Sequence, residues 1–253
     1  MIYAKSADEI LGMRQVCRIA VEVLSKVGKS IIPGITTKEL ENIAEKAIKS
    51  FGAKSAFLGY RGFPGIICTS VNEVVIHGIP SEQKLRHGDI IGIDVGIFYN
   101  GFYGDTAKTF KVATVSESVK KFLEVSELAL SEAIKKCVAG SRIGDISAMI
   151  QETAEQNGYS VVRDFVGHGI GRELHEDPQI PNYGRAGVGT RIPENATLAI
   201  EVMLNQGSWQ VRTLSDKWTV ETSDNKLSAH FEHTVLIKKD GCEILTRIET
   251  PAG

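Results

Sequence analysis

Four carboxylates stand where strand-forming residues would bury them. Asp94 follows Ile90-Ile91-Gly92-Ile93, Glu201 follows Leu198-Ala199-Ile200, Glu232 follows Ala229-His230-Phe231, and Asp105 lies in GFYGDTAKTF, just beyond the Asp94 run. A carboxylate in an apolar run is costly unless it is protonated, paired or bound to a cation. Any one of these acids could simply face solvent from a strand; four are harder to explain that way. Ionised carboxylates a few Å apart repel each other, and the apolar runs around Asp94, Glu201 and Glu232 contain no Arg or Lys. Divalent cations turn that repulsion into binding. A single imidazole, His168 in VGHGIG, would complete an oxygen-rich site. Such a site suits two bridged first-row ions better than a structural zinc, which prefers sulfur and nitrogen.

The elements that must position these groups can be read from pattern. Asn100-Gly101 separates two strand-like runs, a strong hairpin signal. With a two-residue loop, Asp94 and Asp105 fall on one face as near-diagonal neighbours. A three-residue loop would separate them unless a bulge restored the register. Apolar positions at three- and four-residue steps predict helices over 7–30, over the segment after Thr36 or Thr37, over 116–137 (with Val119 inside) and over 143–157. Residues 66–76 and 89–98 read as strands. The helix at 37–51 resembles that at 143–157 without a gap: Gly34 aligns with Gly140, Glu39 with Asp145, and Gly52 with Gly158. Farther on, GDIIGIDV (88–95) aligns with NATLAIEV (195–202), placing Asp94 over Glu201. Amphipathic helices resemble each other by chance, but the paired acids favour a duplication. Two like halves facing each other would bring those acids together at a pseudo-two-fold axis.

Composition bounds the alternatives. The 253 residues are 42% hydrophobic and 24% charged, with a net charge of −2, as expected of a globular chain with a sizeable core. That balance gives no support to a nucleic-acid or membrane role. Cys17, Cys68, Cys137 and Cys242 form no CxxC pair, which excludes a zinc knuckle or thioredoxin motif and favours a reducing compartment. No secretory signal or membrane-length apolar run is visible, so a cytoplasmic protein is expected.

At these residues the chain resembles the type I methionine aminopeptidases. The phrases that carry the likeness are GFP (62–64), CTSVNEVVIHGIP (68–80), GDIIGIDVG (88–96), GFYGDTAKTF (101–110), VGHGIGRELHEDPQIPNYG (166–184) and SAHFEHT (228–234). The resemblance implies an α/β (α+β) pita-bread fold, with two pseudo-symmetric helix–strand halves around a central curved antiparallel sheet. It implies one catalytic domain over 1–253, with halves of roughly 10–115 and 116–240. It supplies His168 and Glu232 as metal ligands beside Asp94, Asp105 and Glu201. The implied cofactors are two divalent ions (cobalt, manganese, iron(II) or zinc), and a monovalent cation at Asn72, Val74 and Ser228. Glu201 becomes a proton acceptor as well as a ligand, His175 a contact to the scissile carbonyl, and His77 a contact to the substrate backbone. Tyr60, Phe63, Cys68, Leu174 and Trp218, with Phe57 at the edge, form a methionine pocket. His87, His230 and His233 receive no such role, and strand alternation turns His233 away from the metals.

Two departures stand out from the resemblance. Several family members carry Cys, Tyr and Phe where this chain has Phe57, Phe63 and Leu174, which changes the pocket's shape but keeps it apolar. Val202 replaces the proline that usually follows the glutamate ligand, freeing a backbone N–H. The implied partners are nascent amino termini and, transiently, the ribosome, for a monomer. Rival readings are a prolidase or aminopeptidase P-like enzyme, which usually carries an added N-terminal domain, and a non-catalytic binding protein on the same fold.

Overall fold

The computed structural model describes residues 2–247; residues 1 and 248–253 of the expected 1–253 domain lie outside the described residues. The chain begins with helices α1 (Ala7–Lys29) and α2 (Thr37–Ser50). Strands β1 (Lys54–Ser55), β2 (Cys68–Val71), β3 (Val74–Ile76), β4 (Ile90–Tyr99) and β5 (Phe102–Lys111) follow. A second pair of helices, α3 (Glu117–Ile134) and α4 (Ile143–Gln156), leads to β6 (Ser160–Val161), β7 (Val166–Gly169), β8 (Glu176–Pro181) and β9 (Thr197–Asn205). The chain ends with β10 (Val211–Thr213), β11 (Val220–Thr222), β12 (Ser228–Lys238) and β13 (Gly241–Ile244). All strand pairs are antiparallel. One sheet runs β1-β4-β2 with β5 on β4, another runs β13-β12-β9-β7-β8 with β6 on β9, and a small third sheet is β10-β11-β3.

The two halves repeat in backbone detail. At α2, Thr36 caps the helix, accepting from Glu39 N at 3.1 Å while Glu39 Oε2 accepts from Thr36 N at 2.8 Å. At the equivalent place in the second half, Asp145 Oδ2 accepts from Arg142 N at 2.8 Å. These bonds satisfy donors that a helix start leaves without partners. Gly52 and Gly158 leave the two helices with φ of 65° and 80°, where a side chain would be strained. Before the aligned strands, Gly88 N donates to Val112 O at 3.0 Å and Asn195 N donates to Ile237 O at 2.9 Å.

The packing explains why the acids face inward. Ile91, Ile93, Val95 and Ile97 of β4 join Met13, Val16, Ala20 and Leu40 in a core under α1 and α2. Leu198, Ile200, Val202 and Leu204 of β9 join Phe122, Ala129, Ile146 and Ile150 under α3 and α4. Each fully buried aliphatic side chain contributes about 1.5–3 kcal/mol. Alternation then sends Asp94 and Glu201 to the opposite faces, away from the helices.

Three sequence expectations need adjustment. The single strand expected over 66–76 is two strands in different sheets. Asn72, at φ 55°, turns the chain between them and anchors the turn through bonds to Asp89 Oδ1 and Ile90 N. The third helix stops at Ile134, so Cys137 lies beyond it, and Val119 is half-buried because it sits in the first turn. Val202, in place of proline, keeps β9 in register opposite Phe231. No described helix is long and apolar enough to cross a membrane.

Candidate active site

The Asn100-Gly101 loop has two residues, since Tyr99 pairs with Phe102; φ values of 50° and 83° suit a type I′ turn. This register puts Asp94 opposite Ala107 and Asp105 opposite Gly96, so the two carboxylates share a face one step apart. In the second half, Glu201 and Glu232 sit directly opposite each other on β9 and β12. His168 on β7 pairs with Ala199 of β9, between glycines that permit close backbone approach. A Cβ at Gly167 would meet Ala199 O at 2.6 Å, and one at Gly169 would meet Asp177 O at 2.1 Å.

Threonines fasten the two hairpins together at the acids. Thr106 Oγ1 donates to Glu232 O at 3.0 Å, and Thr234 Oγ1 donates to Asp105 O at 2.7 Å. Thr109 Oγ1 donates to His230 O and accepts from His230 N, both at 2.9 Å. The carboxylates of one half are thus fixed against the backbone of the other.

Asp105, His168 and Glu232 each offer a ligand atom, all within 4.8 Å of one another, and all three residues are buried. Asp94 Oδ1 and Glu232 Oε1 are buried without a hydrogen-bond partner among the described residues. Orphaned buried oxygens beside an imidazole are what a divalent-cation site requires, and burying them otherwise costs about 1–3 kcal/mol each. Burial, and next the neighbouring Asp105 charge, push the Asp94 carboxyl well above the ordinary carboxylate range. Burial and then Asp105 do the same to Glu232. Burial raises Asp105 to about 6. Glu201 goes the other way. Burial works to raise it, but His230 and His168 hold it below its ordinary value.

His168 Nε2 lies 3.8 Å from Glu201 Oε1, and His230 Nε2 lies 3.5 Å from Glu201 Oε2. His230 is therefore inside the acid cluster. Sequence reasoning passed over it, although the signal was available: it stands two residues before Glu232 on one strand, hence on the same face. His233 does face away, with Nδ1 2.9 Å from Thr246 Oγ1.

The acids floor a cleft of about 380 Å³ whose lining includes Phe57, Tyr60, Phe63, Cys68, His77, Leu174, His175 and Trp218. Phe57 reaches it because Gly96 has no side chain; a Cβ there would meet the Phe57 ring at 2.3 Å. Phe63 and Trp218 pack edge to face at 5.2 Å, and His77 meets Phe165 and Trp218 at 5.6 and 6.1 Å. Phe165 and Arg61 also line the cleft, and nothing in their sequence context marked them. His175 keeps one edge in solvent and packs on His168, ring centroids 4.3 Å apart. Partial burial, then the His168 neighbour, lowers its pKa to about 4, and its Nδ1 lies 2.8 Å from Tyr60 Oη. Burial likewise lowers His77. The residues expected around a monovalent cation lie together in part: Ser228 N donates to Asn72 O at 2.9 Å, while Val74 opens β3 opposite Glu221. A roomier cleft of about 650 Å³ lies against α1, but its Arg14 and Arg18 are paired with Glu243 and Glu22, and it is lined by no histidine or cysteine.

Comparison with known proteins agrees with this geometry. The profile of metallopeptidase family M24 matches residues 12–239. The chain is 49% identical to a methionine aminopeptidase of Clostridium perfringens, covering 98% of this chain and 100% of that protein. It is also 49% identical to methionine aminopeptidase 1 of Bacillus subtilis, with the same coverage. The crystal structure of methionine aminopeptidase from Rickettsia prowazekii superposes with a TM-score of 0.96 at 41% identity, over 98% of this chain and 100% of that one.

Proposed function

The chain belongs to metallopeptidase family M24, and on that premise we propose that it is a methionine aminopeptidase. It removes the initiator methionine from nascent proteins whose second residue is small, such as Ala, Gly or Ser. The observation that carries this reading is the convergence of Asp105, His168 and Glu232 beneath a cleft walled by Phe63, Cys68, Leu174 and Trp218. We read the whole chain as one catalytic domain.

In this reading Asp94, Asp105, His168, Glu201 and Glu232 hold two divalent ions, and cobalt, manganese, iron(II) and zinc all suit one imidazole with four carboxylates. When bound, such ions lower the pKa of a water toward neutrality and polarise the scissile carbonyl. Glu201, the one acid of the four held below its ordinary pKa, takes the proton of the attacking water. His175 is neutral near pH 7, and Tyr60 Oη–H donating to Nδ1 fixes the tautomer that leaves Nε2–H free. That N–H donates to the carbonyl oxygen as negative charge develops on it. His77 contacts the substrate backbone beside the leaving amine. The methionine side chain lies against Tyr60, Phe63, Cys68, Leu174 and Trp218, where a thioether gains sulfur–aromatic contact. Asn72, Val74 and Ser228 offer oxygens to a monovalent cation. The protein acts as a cytoplasmic monomer on nascent amino termini, in passing contact with the ribosome.

The test is anaerobic incubation with Met-Ala-Ser, Leu-Ala-Ser and an X-Pro peptide, with manganese, cobalt, iron(II) or zinc supplied singly. Methionine release from the first substrate at the highest rate is expected. Preferred cleavage of the X-Pro peptide, or no cleavage with any metal, overturns the proposal.

A further inference from the structure

We infer that His230 is a positioning residue for Glu201, its imidazole holding one carboxylate oxygen so that the other stays turned toward His168 and the cleft. The inference rests on the reading of Glu201 as both ligand and proton acceptor. Those two tasks require its two oxygens to stay distinct. The last torsion of a glutamate is soft and nearly two-fold, so the side chain alone does not keep them apart.

The structure supplies a holder on one side and a fellow ligand on the other. Glu201 Oε1 faces His168 Nε2 at 3.8 Å, and Oε2 faces His230 Nε2 at 3.5 Å. His230 is only 3% exposed, and its Nε2 makes no hydrogen bond among the described residues, so the carboxylate is the nearby acceptor it can serve. A small rotation of Glu201 closes 3.5 Å to hydrogen-bond length. The register makes the contact obligatory rather than incidental: Glu232 lies opposite Glu201 and His230 opposite Met203, so His230 is the diagonal neighbour of Glu201 on one face. The imidazole is also held from behind, since Thr109 of the other half binds both the N–H and the carbonyl of His230. His230 on β12 thus holds Glu201 Oε2, while Oε1 stays turned toward His168 on β7.

The test compares the parent with His230→Leu and His230→Gln, measuring manganese affinity by calorimetry and kcat and KM on Met-Ala-Ser. Outer partners of metal ligands change affinity or activity by about 10- to 100-fold. His230→Leu is expected to weaken manganese binding by that factor and to lower kcat with KM near the parent's. His230→Gln, whose amide N–H can reach the same oxygen, is expected to recover most of both. A His230→Leu variant that matches the parent, or a folded His230→Gln as impaired as His230→Leu, overturns the inference. Should His230→Leu fail to fold, His230→Asn replaces it, because its shorter amide falls short of Glu201; equal behaviour of the Gln and Asn variants then overturns the inference. A parent that binds no manganese overturns the ligand reading and this inference with it, whereas variants matching a manganese-binding parent overturn this inference alone.

Discussion

The two hairpins carry their acids on different rungs. On β4 and β5, Asp94 and Asp105 are diagonal, with Ala107 and Gly96 opposite them. On β9 and β12, Glu201 and Glu232 face each other directly. Like charges directly opposite are destabilising, and the second hairpin answers with imidazoles: His168 from β7 and His230 from β12 flank Glu201. In the first hairpin only Asp105 lies near an imidazole, that of His168; Asp94 lies opposite Cys68, and burial raises its pKa. The lesson is a division of labour between duplicated strands. Burial raises Asp94, Asp105 and Glu232, whereas the imidazoles beside Glu201 keep that one carboxylate below its ordinary value.

That contrast can be broken most severely by removing a shared ligand. Asp105→Ala is expected to lower turnover at least about 10³-fold, the equivalent of about 4 kcal/mol; a release assay showing near-parent activity would refute the metal reading. Glu201→Asp keeps the charge but withdraws it from both imidazoles, and misplacement by about 1 Å can cost about 10²-fold. The reciprocal Asp94→Glu change has no imidazole contact to lose. If Glu201→Asp loses no kcat/KM, the imidazole grip is dispensable.

A pH experiment sharpens the comparison further. Burial raises the Asp105 pKa from 3.8 to about 6 in the metal-free fold, so the native state binds more protons than the unfolded chain between those values. Stability of the metal-free protein therefore falls as pH rises from about 4 to 6, by on the order of 2–3 kcal/mol, and does not recover above. Calorimetry in chelator should show that decline in the parent and a smaller one in Asp105→Asn, at about 2–4 °C per kcal/mol; identical slopes would sink the assignment. The smallest effect concerns the threonine bonds between halves. Thr106→Val and Thr234→Val should each cost about 1 kcal/mol in urea unfolding, and no change in midpoint would mean the halves dock without them.

Much of this was legible in the chain because the relevant periods are short. The Asn100-Gly101 turn fixed the parity of Asp94 and Asp105, and the separate match of GDIIGIDV to NATLAIEV placed Glu201 over Asp94. Val202 leaves the register of β9 intact, since a free N–H suits a strand interior better than a proline. What stayed hidden depended on long-range contact or on a rule applied too narrowly. Alternation was used to turn His233 away but not to bring His230 in. Arg61 reaches the cleft from a single 3-10 turn, Tyr60–Gly62, and Phe165 from a loop, where no period constrains a side chain. Asn72 broke an apparently continuous strand because a bond to Ile90, eighteen residues on, stabilises its left-handed turn.

The threonine bonds also have a temporal side. They join Asp105 to Thr234 and Thr106 to Glu232, so the acids meet only after residues about half the chain apart have docked. Contacts so distant in sequence form late and slowly. During synthesis, a ribosome that has released only the first hairpin displays Asp94 and Asp105 without their counterparts. No shortened product can then assemble the full set of acids.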